Sequence, residues 1–311
     1  MTMDILGMKK IFTIFFAALT LVFSVGCGTN ATTNNKPAAD SNEFLIVTSF
    51  FPVYVDVANI TKGIDGVRVV NMTQPQTGCL HDYRLTADDM RLLATADAFV
   101  INGGGMENFL ANVAKELPNL TVIDAAKTER IVMLKDTDGD NPHVWMSITY
   151  ALAQVKEITA RLCEVDAAHA DAYRKNALDY CMALEKLREE MHAELDDLPN
   201  KDVVTFHEAF PYFAREFKLN VVGVIEHEPG EDPSPKEIAA IVQTVNNLST
   251  KVLFTEPQYS PTAAETIAAE TGAKIYTLDP IVTGDADETA LNAYCERMRQ
   301  NAATLKAALG Q

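Results

Sequence analysis

The chain has 311 residues and 48% hydrophobic content, enough apolar material for one large or two ordinary domains, which excludes disorder over most of its length. Its 26 Lys and Arg against 43 Asp and Glu give a formal charge of -17 and exclude a general nucleic-acid binder, which needs a clustered cationic excess. Five cysteines, none in a C-x-x-C pair, are far from a disulfide scaffold.

Lys9-Lys10, the apolar run 11–23 and the small residues Ser24-Val25-Gly26 before Cys27 have the layout of a bacterial secretory signal. The apolar run is too short to span a bilayer comfortably. Cys27 after small residues resembles a lipobox, with Ser24 where lipoproteins usually carry Leu, so Cys27 is expected to become the lipidated N-terminus. Translation starts at Met1 or at Met8, where Met8-Lys9-Lys10 is a usual opening of such signals. Residues 1–26 are read as signal peptide and 27–42, almost devoid of large apolar side chains, as a flexible tether.

From residue 43 onward, short β-rich runs alternate with helical patterns, the signature of α/β units around parallel sheets. Strands are expected at 44–49, 67–72, 98–102 and 120–124, with helices at 53–62, 87–94 and 106–117. Residues 166–198 contain no Gly or Pro and are rich in good helix formers, which predicts one long helix spanning about 45 Å. The alternation resumes with strands at 203–206, 221–225, 252–255 and 274–278 and helices at 210–217, 235–248 and 262–270. The expected fold is α/β, with two Rossmann-like lobes (43–163 and 200–311), each a mostly parallel four-stranded sheet with flanking helices, joined by one backbone helix at 164–199.

Four residues stand out as donors. His81 lies in the loop after the second strand, His207 directly ends the run 203–206, Asp279 follows the run 274–278, and His143 sits in Asn141-Pro142-His143-Val144-Trp145. Ligand sites in open α/β sheets lie beyond the carboxyl ends of strands, so two donors from each lobe would converge across a cleft. Three imidazoles and a carboxylate suit a tetrahedral Zn²⁺ sphere, although any one of these histidines alone is as well explained by local hydrogen bonding.

The flanking residues resemble the solute-binding lipoproteins of zinc and manganese ABC transporters, the cluster A-I receptors. The matching stretches are His81-Asp82-Tyr83, Asn102-Gly103-Gly104-Gly105-Met106-Glu107, Asn141-Pro142-His143-Val144-Trp145, His207-Glu208-Ala209-Phe210-Pro211-Tyr212-Phe213, Phe254-Thr255-Glu256-Pro257-Gln258, Thr271-Gly272-Ala273 and Leu278-Asp279-Pro280. The resemblance implies two lobes joined by a long helix, a metal ion between them held by His81, His143, His207 and Asp279, delivery to a membrane permease, and no catalysis. It also implies a monomer anchored to the outer face of the cell membrane. Departures are Leu80 where the family has Pro, Arg84 where it has an acidic residue, and Ser147-Ile148 in place of Asp-Pro. Manganese receptors tend to have Glu in place of His207, so the nitrogen-rich set favours Zn²⁺, with Mn²⁺ as the alternative. Protonation of the histidines competes with the metal, so affinity is expected to fall steeply below about pH 6.

Cys79 could add a thiolate but is read as a loop cysteine outside the coordination sphere; Cys163, Cys181 and Cys295 are read as apolar helix residues, and His169 and His192 as surface residues. His227, between Glu226 and Glu228, and the acidic turn 136–140 are read as solvated loops. Two other classes share some of these features. A zinc-dependent hydrolase would need an open metal position and a base such as Glu208 or Glu256, and a surface adhesin would need only the anchor and the lobes.

Overall fold

The computed structural model describes residues 43–80, 83–135, 139–226 and 233–310. The first half is one parallel sheet in the order β2-β1-β3-β4, built from β1 (Phe44–Thr48), β2 (Val67–Asn71), β3 (Ala98–Ile101) and β4 (Thr121–Asp124). Its register pairs Phe44 with Val67, Ile46 with Ala98 and Ala98 with Thr121. The central strands read FLIVT and AFVI and are buried on both faces, as expected where helices cover both sides of a parallel sheet.

Helix α1 (Phe51–Thr61) starts with Pro52 in its first turn, where a missing N–H costs nothing, and is buried on nearly every side by α5 and α9. Helix α2 (Ala87–Leu93) opens with a reciprocal capping box between Thr86 and Asp89, and α3 (Leu110–Glu116) is the third crossover helix. Helix α4 (Ile148–Val165) is capped by Ser147, whose hydroxyl accepts from the Tyr150 N–H and donates to Glu216. Ser147, a departure from the family pattern, thus terminates the site loop and starts a helix.

The predicted long helix is α5 (Ala170–Leu195), with Tyr173, Ala177, Tyr180, Leu184, Leu187, Met191 and Leu195 forming a buried stripe at three- and four-residue spacing. It begins at Ala170 rather than at 166 because the Asp166 carboxylate accepts from His169 Nδ1 (2.7 Å) and the Tyr173 hydroxyl (2.6 Å), holding a turn between α4 and α5. His169 and His192 are half-buried, not free surface residues: His192 Nδ1 donates to Asp196 at 2.9 Å and its ring lies 5.0 Å from that of Phe217.

In the second half, β5 (Asp202–Thr205) pairs with β6 (Asn220–Val224), and β7 (Val252–Thr255) with β8 (Lys274–Thr277), all parallel. β5 and β7 lie side by side between the two ladders. Alternation decides the faces: Val203 and Phe254 enter the main core, whereas Val204 and Leu253 enter a smaller cluster covered by α7 (Pro235–Asn246) and α8 (Thr262–Thr271). Helix α6 (Pro211–Glu216) follows the β5 loop, and α9 (Ala290–Leu309) closes the chain against α1 and α5. Helices α4 and α9 lie outside the sequence expectation, which placed helices only between strands and in the linker. The main core is one contiguous cluster drawn from both halves and from α1, α4, α5 and α9. No helix among the described residues is long and apolar enough to cross a membrane.

Candidate metal centre

Two short loops beyond strand ends of the second half and the first-half loop 139–147 between β4 and α4 position His207, Glu256 and His143. His207 stands just past β5 and Glu256 just past β7, and the adjacency of those strands brings the two side chains together, both essentially buried (1% and 0% exposed). His207 Nδ1 donates to Glu256 Oε1 at 2.5 Å, and the other carboxylate oxygen accepts from Gln258 Nε2 at 2.8 Å. A carboxylate accepts only, so the proton sits on Nδ1 and Nε2 faces the site.

The same logic holds for His143, which is buried. Asn141 Nδ2 donates to the Glu208 carbonyl at 2.9 Å, which fixes its amide orientation, and Asn141 Oδ1 then accepts from both the backbone N–H and Nδ1 of His143 at 3.0 Å. His143 Nε2 is left facing His207, with ring centroids 5.2 Å apart and planes at 72°.

This loop is pinned from several sides. Asn102, just past β3, donates from Nδ2 to the Pro142 carbonyl at 2.9 Å and accepts from Gln154 Nε2 at 3.0 Å. The backbone N–H groups of Asn102 and Gly103 donate to the buried Glu107 carboxylate, whose pKa burial pushes up to about 7. The Tyr212 hydroxyl donates to the Asn141 carbonyl (2.7 Å) and accepts from the Leu134 N–H (2.9 Å), Trp145 Nε1 donates to the Pro280 carbonyl (2.8 Å), and the Tyr294 hydroxyl donates to the Trp145 carbonyl (2.7 Å). Residues of the second half thereby hold a loop of the first.

The glycine run has a steric reason as well. Gly103 has φ +79°, and a Cβ there would sit 1.8 Å from Asp124 Oδ1. Gly103→Ala is expected to destabilise the protein by about 2–4 kcal/mol in urea unfolding and to weaken metal retention, because Asn102 beside it carries the Pro142 contact. An unchanged unfolding midpoint would contradict this packing.

Cys79 departs from its expected place outside the donor set. Its Sγ lies 3.5 Å from His143 Nε2 and 3.5 Å from His207 Nε2, and the three donor atoms lie within 4.8 Å of one another. Sequence spacing places Cys79 two residues from His81 but says nothing of which way the loop turns. His81 itself lies outside the described residues, as do Cys27, His227 and the 136–138 part of the acidic turn. Asp279 is not in the cluster of three: Oδ1 accepts from the Ile281 N–H at 2.7 Å, and Oδ2 lies 3.4 Å from the Arg297 guanidinium. Burial raises the Asp279 pKa, and Arg297 opposes that rise.

Burial by itself disfavours a charged His207, but the Glu256 carboxylate and Cys79 outweigh it and hold the imidazole pKa well above its usual value. A cation held here would displace a proton, and Glu256 would raise the basicity of the His207 nitrogen that faced it. Glu256 and Asn141 are the functional residues that the donor search passes over. Their signal lies in position, one just past a strand and the other two residues before a donor.

The family model described as zinc-uptake complex component A, periplasmic, matches residues 46–308. The chain is 26% identical over 311 residues to the manganese-binding lipoprotein MntA of Halalkalibacterium halodurans, covering 98% of this chain and 100% of that one. It is 27% identical over 320 residues to the high-affinity zinc uptake system protein ZnuA of Bacillus subtilis, covering 97% and 98%. The structure of the solute-binding protein FpvC of Pseudomonas aeruginosa in complex with Mn²⁺ superposes with a TM-score of 0.76 at 33% identity, covering 86% of this chain and 98% of that one.

Proposed function

The chain belongs to the periplasmic component A family of zinc-uptake complexes, and from that membership we propose that it is an extracytoplasmic receptor that captures Zn²⁺ and delivers it to an ABC transporter permease. The observation that carries this reading is the convergence of two buried imidazoles, each anchored at Nδ1 and each presenting Nε2 to the same point. His81 and Asp279 are the further donor candidates to which the sequence resemblance points. Nitrogen donors favour Zn²⁺ over Mn²⁺ by affinity and by softness, and Mn²⁺ is the second reading because one relative is named for that ion. Cys27 is proposed as the lipid attachment site, with 1–26 removed, 27–42 as tether, 43–163 and 200–311 as the two lobes and 164–199 as the linking segment. Glu256, the candidate base of a hydrolase, is committed to His207 and Gln258, which supports a receptor rather than a catalyst.

Elemental analysis after mild purification is expected to find stoichiometric zinc in the native protein and none in His143→Ala. A zinc-free native protein that cannot be loaded, or an unchanged content in His143→Ala, would sink the reading. Manganese in place of zinc when both are supplied equally would select the second.

A further inference from the structure

We propose that Cys79 is itself a donor to the captured ion, so that the site binds through one thiolate sulfur as well as imidazole nitrogens; this rests on the metal-receptor reading above. Zinc bonds of about 2.3 Å to sulfur and 2.0–2.1 Å to nitrogen at a tetrahedral angle place sulfur about 3.6 Å from each nitrogen. Cys79 Sγ lies 3.5 Å from His143 Nε2 and 3.5 Å from His207 Nε2. Both sulfur–nitrogen separations thus match two edges of a zinc tetrahedron, and the three donor atoms all lie within 4.8 Å of one another.

Cys79 is held there by the half of the molecule that carries His207. Its backbone is hydrogen-bonded with the Tyr259 hydroxyl, and the Tyr259 ring stacks on Phe206 at 5.6 Å and meets the His207 ring edge-on at 5.7 Å. Gly78 permits the approach, since a Cβ at that position would lie 3.0 Å from the same hydroxyl. Among the described residues the cluster consists of Cys79, His143 and His207, whereas Asp279 lies outside it, with Oδ1 accepting from the Ile281 N–H and Oδ2 3.4 Å from Arg297.

On binding, the S–H bond breaks, its proton passes to solvent and the sulfur lone pair forms the bond to zinc, with no change of oxidation state. Thiolate selects soft and borderline ions, Zn²⁺ and Cu⁺, against Mn²⁺. Cys79 thereby becomes the residue that sets specificity.

The test is zinc X-ray absorption on the zinc-loaded full chain, with Cys79→Ser and Cys79→Ala compared by metal competition. The expected spectrum has one sulfur scatterer at about 2.3 Å beside nitrogen and oxygen at about 2.0–2.1 Å, and both variants lose the sulfur. Zinc affinity is expected to fall about 100-fold or more in the variants, the share of one donor among four, while manganese affinity changes by less than about threefold. A zinc-loaded native protein with only nitrogen and oxygen neighbours overturns the role of Cys79 and leaves the receptor reading standing. A native protein that takes up no zinc overturns both.

Discussion

Replacing His207 by Ala is expected to lower zinc affinity about 100-fold or more, and replacing Glu256 by Gln to lower it about 10- to 100-fold, in competition against a chromophoric chelator. His207 is expected to lose more because a donor vanishes, about a quarter of the roughly 10–16 kcal/mol that a four-donor zinc site supplies. Glu256→Gln keeps the ring and the volume but removes the negative charge behind Nδ1, 2.5 Å away, so the nitrogen facing the ion becomes less basic and its orientation less certain. Because the site is buried, that charge acts with little screening by water. His192→Ala, on the far stretch of α5, serves as the control that should leave affinity untouched. An affinity within about threefold of native for Glu256→Gln would show that the carboxylate has no part in tuning the donor.

The second large effect concerns stability. Asp56 on α1 is buried, and its carboxyl accepts from the Tyr180 hydroxyl at 3.3 Å; burial raises its pKa from 3.8 to about 8, against the lowering effect of that hydrogen bond. Between those two values the folded state holds a proton that the unfolded chain has released, so the contribution of Asp56 to stability is fully present below about pH 4, is lost as pH rises towards 8 and levels off above it. Asp56→Asn removes the titration while keeping size and polarity. The variant is expected to match the native protein near pH 4 and to exceed it by on the order of 5 kcal/mol above pH 8, a gain of about 10 °C or more in melting temperature. Thermal melts at the two pH values check this, and a gain that does not grow with pH would contradict it.

Strand positions were readable to within one or two residues because parallel strands buried on both faces are short β-branched runs bounded by turns, as in FLIVT and VLFT. The buried stripe of α5 was readable for the same kind of reason, but its start was not, since the Asp166 contacts that hold the preceding turn involve side chains three and seven residues away. Helix α9 carries an equally clear stripe, from Ala293 and Tyr294 to Leu309, and escapes a search that expects helices only as crossovers. Within the site, His143 and His207 were legible from strand ends and neighbouring residues. The thiol of Cys79 was not, because its direction depends on Tyr259, which is remote in sequence and meets the loop only in the fold. Asp279 was legible as a strand-end carboxylate, and its engagement with Arg297 of α9 was hidden for the same reason.

Asn141 and Glu256 grip the two imidazoles at their Nδ1 edges, while Tyr212, Trp145 and Tyr294 clamp the loop that bears one of them. Little side-chain freedom would remain to be surrendered on binding an ion, so capture is expected to be limited by encounter and by stripping water from the cation. Departure would have to break the donor bonds within a frame cross-linked by these contacts. On the receptor reading, long residence is the expected kinetic result: a captured ion would stay put until something that docks on the frame pushes it.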